Sequence, residues 1–342
     1  MRLSQIIFDS LQRLGKSIKI EDYDFLDNSA DLHTPVMICL GGSHAYGTNI
    51  EKSDLDIRGI AMHSADDILL NRGFEQIINN QTDTTIYSLE KIVHLLTNCN
   101  PNIIEMLGAK KEHYLYLSDI GNELLKRYDM FLSMRCVGSF MGYANSQMYR
   151  LQQKSLIVLS EQELNAHIAK TLNGMMKTLE EQHGLVGVVA HLDNCDQIVL
   201  DIPEMKNYPA EKLSMVLNTL NKTLQDYHRN SKRNENAIEH GKIAKHSMHL
   251  LRLYMMCEDI LLYGKINTYR EKEHNLLMDI RNGLYLDSDE KPNAEFFDIV
   301  HDYEARLDYA KEHSVLPQKP DMKRIDKFLK EANEMQVRKA IH

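Results

Sequence analysis

The sequence predicts an α+β protein, in which a small mixed β-sheet near the N-terminus is followed by a mostly helical region. Two observations predict this class. Short apolar runs such as Val36–Leu40 alternate with turns and helical segments before residue 110. From about residue 115 onward, apolar residues recur at helical intervals over long segments. Since 342 residues suffice for about two domains, we predict a sheet-containing domain over 1–110 and a helical domain over 111–342.

The first elements follow from local patterns. Apolar residues at helical spacing predict a helix over 3–14, and the apolar run 36–40 predicts a buried strand that ends at Gly41-Gly42-Ser43. His44-Ala45-Tyr46 could form one helical turn. Further strands are expected over 55–62, around 74–78 and over 81–88, followed by helices over 89–96 and 103–107, the last with Asn102 near its N-cap.

The rest of the chain is predicted to be helical. Candidate helices cover 118–129, 132–154, 161–183, 210–229, 238–263, 270–282, 293–313 and 321–338. The apolar run 197–200 fits either an isolated strand or an extended linker. The charged, amide-rich stretch 229–236 has no apolar anchor and is expected to be mobile.

The composition indicates a cytoplasmic protein. No uninterrupted apolar run approaches the roughly 18 residues of a membrane span, and the amphipathic N-terminus is a poor signal peptide. The cysteines are odd in number and scattered, which is typical of a reducing compartment and provides no cysteine-based zinc site. They are Cys39, Cys99, Cys136, Cys195 and Cys257.

The net charge of −9 bears on the partners. Nucleic acids are bound through many Lys and Arg contacts with phosphates, and this chain is not globally basic. An RNA partner would therefore have to meet a local basic patch, and a small molecule or a protein remains an alternative. The sequence does not set the oligomeric state.

The stretch from Cys39 to Gly59 carries the chemistry. Asp54 and Asp56 are two positions apart, so on a strand both carboxylates would leave the same face, roughly 7 Å apart at the backbone. Such like charges repel each other, and a divalent cation between them is the usual remedy. The preceding Gly41-Gly42-Ser43 offers backbone N–H groups and a hydroxyl that suit phosphate oxygens. Together they indicate phosphoryl or nucleotidyl transfer.

This stretch resembles the motif of the DNA-polymerase-beta-type nucleotidyltransferase superfamily, in which Gly-Ser is followed after about ten residues by Asp-x-Asp. The fuller pattern is similar to a bacterial and phage branch of RNA-repair-associated, polymerase-beta-like nucleotidyltransferases. The resemblance covers residues 36–107, and a weaker similarity to the same branch covers residues 242–265. The matching positions are Gly42, Ser43, Tyr46, Gly47, Thr48, Ser53, Asp54, Asp56, Arg58 and Gly59.

The resemblance implies a palm-like catalytic domain and a metal site. Asp54, Asp56 and Asp83 would hold two Mg²⁺ ions, with Mn²⁺ as an alternative, and Asp83 would belong to the ion that activates the acceptor. For Asp83 the alternative is a solvent-facing acid on a strand. Gly42 and Ser43 would contact the β- and γ-phosphates of a nucleoside triphosphate. The helical domain would form the other wall of the cleft.

Three basic residues are candidates for nucleotide binding. Arg58 follows the acidic pair by two, so it could contact a triphosphate or an acceptor phosphate, or it could offset the acids electrostatically. Lys245 and Arg252 lie on one basic stripe of the helix 238–263. That stripe is either a solvated face or, as the resemblance implies, a triphosphate-binding surface. Tyr46 and Glu105 are expected to have structural roles.

The resulting hypothesis is Mg²⁺-dependent transfer of a nucleoside monophosphate from an NTP to a hydroxyl group. By resemblance, the acceptor is an RNA 3′ end in RNA repair or tRNA maturation. A protein side chain or a small molecule is the alternative acceptor. A catalytically silent NTP-binding protein is the remaining alternative.

Overall fold

The computed structural model describes residues 2–29, 32, 34–155, 169, 187–193, 197–201, 209–218, 221, 242–288 and 290–341. The chain divides into two compact units. The first comprises Met1–Gln147, Ser247–Tyr285 and Asn293–His342, and the second comprises Met148–His246 and Leu286–Pro292. These units are defined by compactness and not by activity, so the catalytic domain predicted over 1–110 stays a prediction.

The elements up to residue 155 alternate between strands and helices. They are α1 (Leu3–Arg13), α2 (Phe25–Asn28), β1 (Thr34–Leu40), α3 (Gly42–Tyr46), β2 (Ile57–Met62), α4 (Ala65–Leu70), β3 (Gln76–Asn79), β4 (Thr84–Ser88), α5 (Leu89–Thr97), α6 (Pro101–Ile104), β5 (Tyr114–Leu117), α7 (Asp119–Lys126) and α8 (Arg135–Ser155). Short 3₁₀ helices cover Ile20–Tyr23, Glu105–Gly108, Lys111–His113 and Tyr128–Phe131.

The later described elements are mostly helical. They are β6 (Val189–Leu192), β7 (Ile198–Asp201), α9 (Lys242–Tyr263), α10 (His274–Arg281), α11 (Ala294–His313) and α12 (Met322–Ile341), together with helical residues 210–218. The strand interpretation of 197–200 is confirmed, because β7 pairs with β6 in an antiparallel ladder. Except for residue 169, the helix predicted over 161–183 lies outside the described residues, as does the stretch 229–236.

One mixed sheet organises the first unit, in the strand order β3-β4-β2-β1-β5. β1 is antiparallel to both β2 and β5, β3 is antiparallel to β4, and β2 is parallel to β4. The predicted α+β class with a mixed sheet is therefore confirmed.

Helix α1 covers one face of this sheet with its apolar stripe. The stripe consists of Leu3, Ile7 and Leu11, all of which are buried. They belong to a core cluster that also includes Ile38 and Ile57 of the two central strands. Burial of these side chains supplies the main stabilising free energy of the sheet, at about 25 cal/mol per Å² of apolar surface.

Two strand boundaries differ from the prediction. β2 begins at Ile57 and not at residue 55, and β4 begins at Thr84 and not at residue 81. Asp54 and Asp56 therefore lie in the loop before β2, so the prediction that strand alternation sets their direction was wrong. Asp83 also lies before its strand, in a turn, with a left-handed φ of +43°.

Two features near residue 100 were also missed. Asn100, and not Asn102, caps helix α6, since its side chain accepts the N–H of Asn102 at 3.0 Å. Pro101 then occupies the first turn, where its missing N–H has no cost. Strand β5 was not predicted at all. Its four residues are too few for a periodic pattern to stand out, and tertiary pairing with β1 makes it a strand.

Among the helices of the described residues, none is long and apolar enough to cross a membrane.

Loss of core volume in the central strand is expected to destabilise the first unit. Ile60 on β2 is fully buried, so Ile60→Ala should lower the free energy of unfolding by about 2–5 kcal/mol. Ile78 on the edge strand β3 is 55% exposed, so Ile78→Ala should change it by no more than about 0.5 kcal/mol. Urea denaturation monitored by circular dichroism measures both, and equal losses would contradict the assigned strand order.

Candidate active site

Three strand ends meet at one corner of the sheet. β1 runs antiparallel to β2, so the end of β1 lies beside the start of β2, and the N–H of Gly41 bonds the carbonyl of Asp56 at 2.9 Å. β4 runs parallel to β2, so their starts also lie side by side. The N–H of Ile57 bonds the carbonyl of Asp83 at 3.1 Å. Asp56 and Asp83 therefore become neighbours although they are far apart in sequence.

Arg58 lies between the side chains of these two acids. Its Nη2 is 3.1 Å from Oδ1 of Asp56, and its Nη1 is 3.6 Å from Oδ1 of Asp83. Nη1 also donates to the carbonyl of Asp83 at 2.9 Å. One guanidinium thus offsets the repulsion between two carboxylates, and it holds the turn that carries Asp83.

Gly42 forms the wall next to Asp56. Its φ is +52°, which favours glycine, and a Cβ at this position would overlap Oδ2 of Asp56. Ser43 follows in the first turn of α3 and is only 6% exposed. The Gly-Gly-Ser sequence therefore allows the acidic loop to pack directly against the end of β1. The contacts of Gly42 and Ser43 with phosphate stay predictions.

Asp54 faces a different space from the glycine turn. It lines a cavity of about 640 Å³ together with Asp83. One wall of this cavity comes from residues 17–19, 22 and 23, and the opposite wall from residues 80–83. Sequence reasoning missed the first wall, because it belongs to an acidic, irregular segment without a motif.

The described residues contain no group of three His, Cys, Asp or Glu side chains arranged to hold a metal ion. Two of the three acids are paired with Arg58. The donor set nevertheless fits magnesium, because carboxylate oxygens are the ligands that hard divalent cations prefer. Metal binding by Asp54, Asp56 and Asp83 stays a prediction.

Arg252 is buried in a polar network behind the glycine turn. It is 3% exposed, and its Nη1 donates to Oε2 of Glu105 at 2.9 Å. The hydroxyl of Tyr46 donates to the same carboxylate at 2.7 Å, and the Arg252 guanidinium lies 3.5 Å from the centroid of the Tyr46 ring. Burial is the main cause that raises the pKa of Tyr46 well above its ordinary value. Tyr46 and Glu105 thus have the structural contacts that the sequence suggested.

The two cations predicted on this helix have different environments. Arg252 is not on a solvated face, and in the structure its charge is paired with Glu105. Lys245 is exposed and belongs to the second unit. Nucleotide contacts of Lys245 and Arg252 stay predictions.

Arg281 of α10 is a cation near the corner that sequence reasoning missed. Its Nη2 donates to Oγ of Ser53 at 3.2 Å, next to Asp54 in the chain. Its Nε and Nη1 are buried without a hydrogen-bond partner among the described residues. Burial lowers the pKa of this guanidinium. No local sequence signal distinguishes Arg281 from other helix-end arginines.

The glycine–serine turn, the neighbouring acids and the mixed sheet are the features that the motif predicts for a polymerase-beta-like nucleotidyltransferase. Residues 24–169 match the model of the RlaP family, the RNA repair pathway DNA polymerase beta family. This part of the chain, which includes the glycine turn and the three acids, is therefore similar to that family. A search of curated proteins found no match, and a search of solved structures found none either.

Removal of the buried guanidinium tests whether Arg252 is structural. Arg252→Met should lower the free energy of unfolding by about 3–5 kcal/mol, because it leaves the Glu105 carboxylate buried without its partner. The matched control is Lys245→Met on the same helix, where an exposed side chain should cost no more than about 0.5 kcal/mol. Chemical denaturation measures both variants.

The double variant Glu105→Gln/Arg252→Met sharpens this test. Since neither charge is then left alone, it should lose less than the sum of the two single variants. An Arg252→Met protein as stable as the wild type would show that the Glu105–Arg252 pair does not contribute to the free energy of unfolding.

Proposed function

We propose that this protein is a Mg²⁺-dependent nucleotidyltransferase that moves a nucleoside monophosphate from an NTP to a hydroxyl group at an RNA 3′ end. The observation that carries the proposal is the corner where Asp56 and Asp83 lie side by side, next to the Gly42 turn. The family match supports the chemistry coarsely, and the family's description supports RNA as the acceptor.

Different residues of the corner would bind the donor phosphates and hold the metal ion. The backbone N–H groups of Gly42 and Ser43 would bind the β- and γ-phosphates of the donor. When bound by Asp54, Asp56 and Asp83, Mg²⁺ would supply positive charge that offsets the triphosphate and makes the acceptor hydroxyl more acidic.

The bond changes are those of an in-line displacement. The acceptor oxygen forms a bond to the α-phosphorus, and the bond from that phosphorus to the oxygen bridging to the β-phosphate breaks. Pyrophosphate leaves with that electron pair, and the hydroxyl proton passes to a carboxylate oxygen of Asp83. The product is a phosphodiester when the acceptor is RNA.

Arg58 would change partners during binding. In the structure its guanidinium is shared by Asp56 and Asp83, the two acids that a cation would also need. With those carboxylates holding a cation, the Arg58 guanidinium would be available to face the negative triphosphate. This exchange unites the two interpretations of Arg58, as a counter-ion for the acids and as a phosphate ligand.

The acceptor could instead be a protein side chain or a small molecule, and the net charge of −9 favours this second candidate. We place the activity in the cytoplasm, because the cysteines among the described residues are buried free thiols, as in a reducing compartment. They are Cys39, Cys99, Cys136 and Cys257.

Removal of one acid tests the activity. Each α-³²P-labelled NTP is incubated with the protein, Mg²⁺ and bulk RNA or cell extract, and the labelled pool is identified. Asp56→Asn and Asp83→Asn should each reduce transfer by more than the roughly 10- to 100-fold that loss of an outer-shell metal partner costs. Asp66→Asn removes an exposed acid on α4 and should leave the rate unchanged.

The destination of the label separates the alternatives. Label on RNA supports the proposal, and label on protein or a small molecule supports the second candidate. NTP binding without any transfer would overturn both and favour a silent NTP-binding protein.

Competition between Arg58 and metal gives an independent test. Arg58→Met should bind Mn²⁺ about 2- to 10-fold more tightly in the absence of nucleotide, because two partly exposed ion pairs no longer compete for the carboxylates. Electron paramagnetic resonance of free Mn²⁺ measures this affinity without any turnover.

The matched control is Arg72→Met, which removes an exposed arginine and should leave the Mn²⁺ affinity unchanged. Weaker Mn²⁺ binding by Arg58→Met would contradict the competition, since Arg58 would then be needed to position the acids.

A further inference from the structure

The cavity beside Asp54 and Asp83 is an open space next to the acids of the proposed reaction. At about 640 Å³ it lies in the range of roughly 300–1,000 Å³ that small-molecule sites occupy. It is far larger than one amino-acid side chain requires. Its contents are therefore expected to be a compact ligand group of nucleoside size.

The position of the cavity assigns it to the acceptor side. Asp54 and Asp83 line it, whereas Gly42 and Ser43 are absent from its lining. Asp56 packs against Gly42, and Arg58 connects Asp56 to Asp83. The acids thus separate the glycine turn, where the donor phosphates are proposed to bind, from the cavity.

The acidic lining of the cavity suits a group that donates hydrogen bonds. Its acidic and basic side chains are Asp22, Asp54 and Asp83, with Lys19 as the single basic residue of the lining. The lining therefore has more acidic than basic side chains and offers mainly hydrogen-bond acceptors. A ribose is uncharged and its hydroxyl groups can donate hydrogen bonds to carboxylates, so a sugar fits this lining.

The neutral side chains of the cavity suit the edge of a base. Asn80 and Gln81 lie at the tip of the β3–β4 hairpin and contribute amides that both donate and accept. Asn79 holds this tip, because its Oδ1 accepts the backbone N–H groups of Gln81 at 2.9 Å and Thr82 at 3.2 Å. The amides are thus presented from an ordered turn. The opposite wall includes Tyr23, a buried aromatic residue that anchors this wall in the core.

From these observations we infer that the cavity between residues 17–23 and residues 80–83 binds the terminal nucleoside of the acceptor. The inference rests on the proposed function and extends it, because it names the group recognised and the residues that recognise it. The ribose hydroxyl would face Asp83, and the base would lie against Asn80 and Gln81.

The experiment measures binding and needs no turnover. The probes are a 5′-fluorescein RNA oligonucleotide that ends in an intact nucleoside, the same oligonucleotide with an abasic 3′ ribose, each NTP with Mg²⁺, and inorganic tripolyphosphate with Mg²⁺. The test variant is Asn80→Ala/Gln81→Ala, whose side chains are exposed. The matched control is Gln76→Ala, an exposed amide on the same hairpin outside the cavity lining.

The wild type should bind the intact 3′ end about 10-fold more tightly than the abasic end, as expected from two additional hydrogen bonds. The test variant should lose this preference and keep its affinity for NTP and tripolyphosphate. The control variant should behave as the wild type.

Two results would overturn the inference. If the test variant loses affinity for NTP but not for tripolyphosphate, the cavity binds the nucleoside of the donor. If it discriminates the intact from the abasic end as the wild type does, the cavity binds no terminal nucleoside. Failure of the proposed function would look different, since the wild type itself would then bind neither NTP nor tripolyphosphate.

Discussion

The first hydrogen bond of the parallel pair β2–β4 runs from the N–H of Ile57 to the carbonyl of Asp83. This bond fixes the register in which Ile57 lies opposite Thr84. As a result, the residues just before each strand, Asp56 and Asp83, emerge at the same edge of the sheet. A slip of one residue in this pairing would shift one of these residues along the edge relative to the other. The geometry of the whole corner therefore depends on the strand register.

That register places two negative charges close together, and Arg58 supplies the positive charge between them. Two carboxylates at one sheet edge would repel each other, and the guanidinium between them offsets this repulsion. Asp83 is 55% exposed, whereas Asp56 and Arg58 are about a quarter exposed or less. Solvent thus screens the ion pair of Arg58 with Asp83 more than the ion pair of Arg58 with Asp56.

The sequence predicted the part of the site that is local in the chain. Gly42, Ser43, Asp54 and Asp56 lie within fifteen residues of one another, and the motif alone brought them together. Asp83 was included only through resemblance, because parallel pairing between β2 and β4 leaves no local pattern. The strand-face argument for Asp54 and Asp56 failed since pairing, and not composition, sets where β2 begins. Lys19, Tyr23 and Arg281 were missed for the same reason, as tertiary packing alone brings them near the acids.

The buried pair of Glu105 and Arg252 joins residues that are 147 positions apart. Arg252 is therefore made on the ribosome long after the strands of the sheet have emerged. At a translation rate of roughly 5–20 residues per second, about 7–30 seconds pass between the synthesis of Glu105 and that of Arg252. During this interval a carboxylate that becomes 7% exposed in the native protein has no compensating cation. The nascent N-terminal segment thus cannot complete its interior until about three quarters of the 342-residue chain has been made.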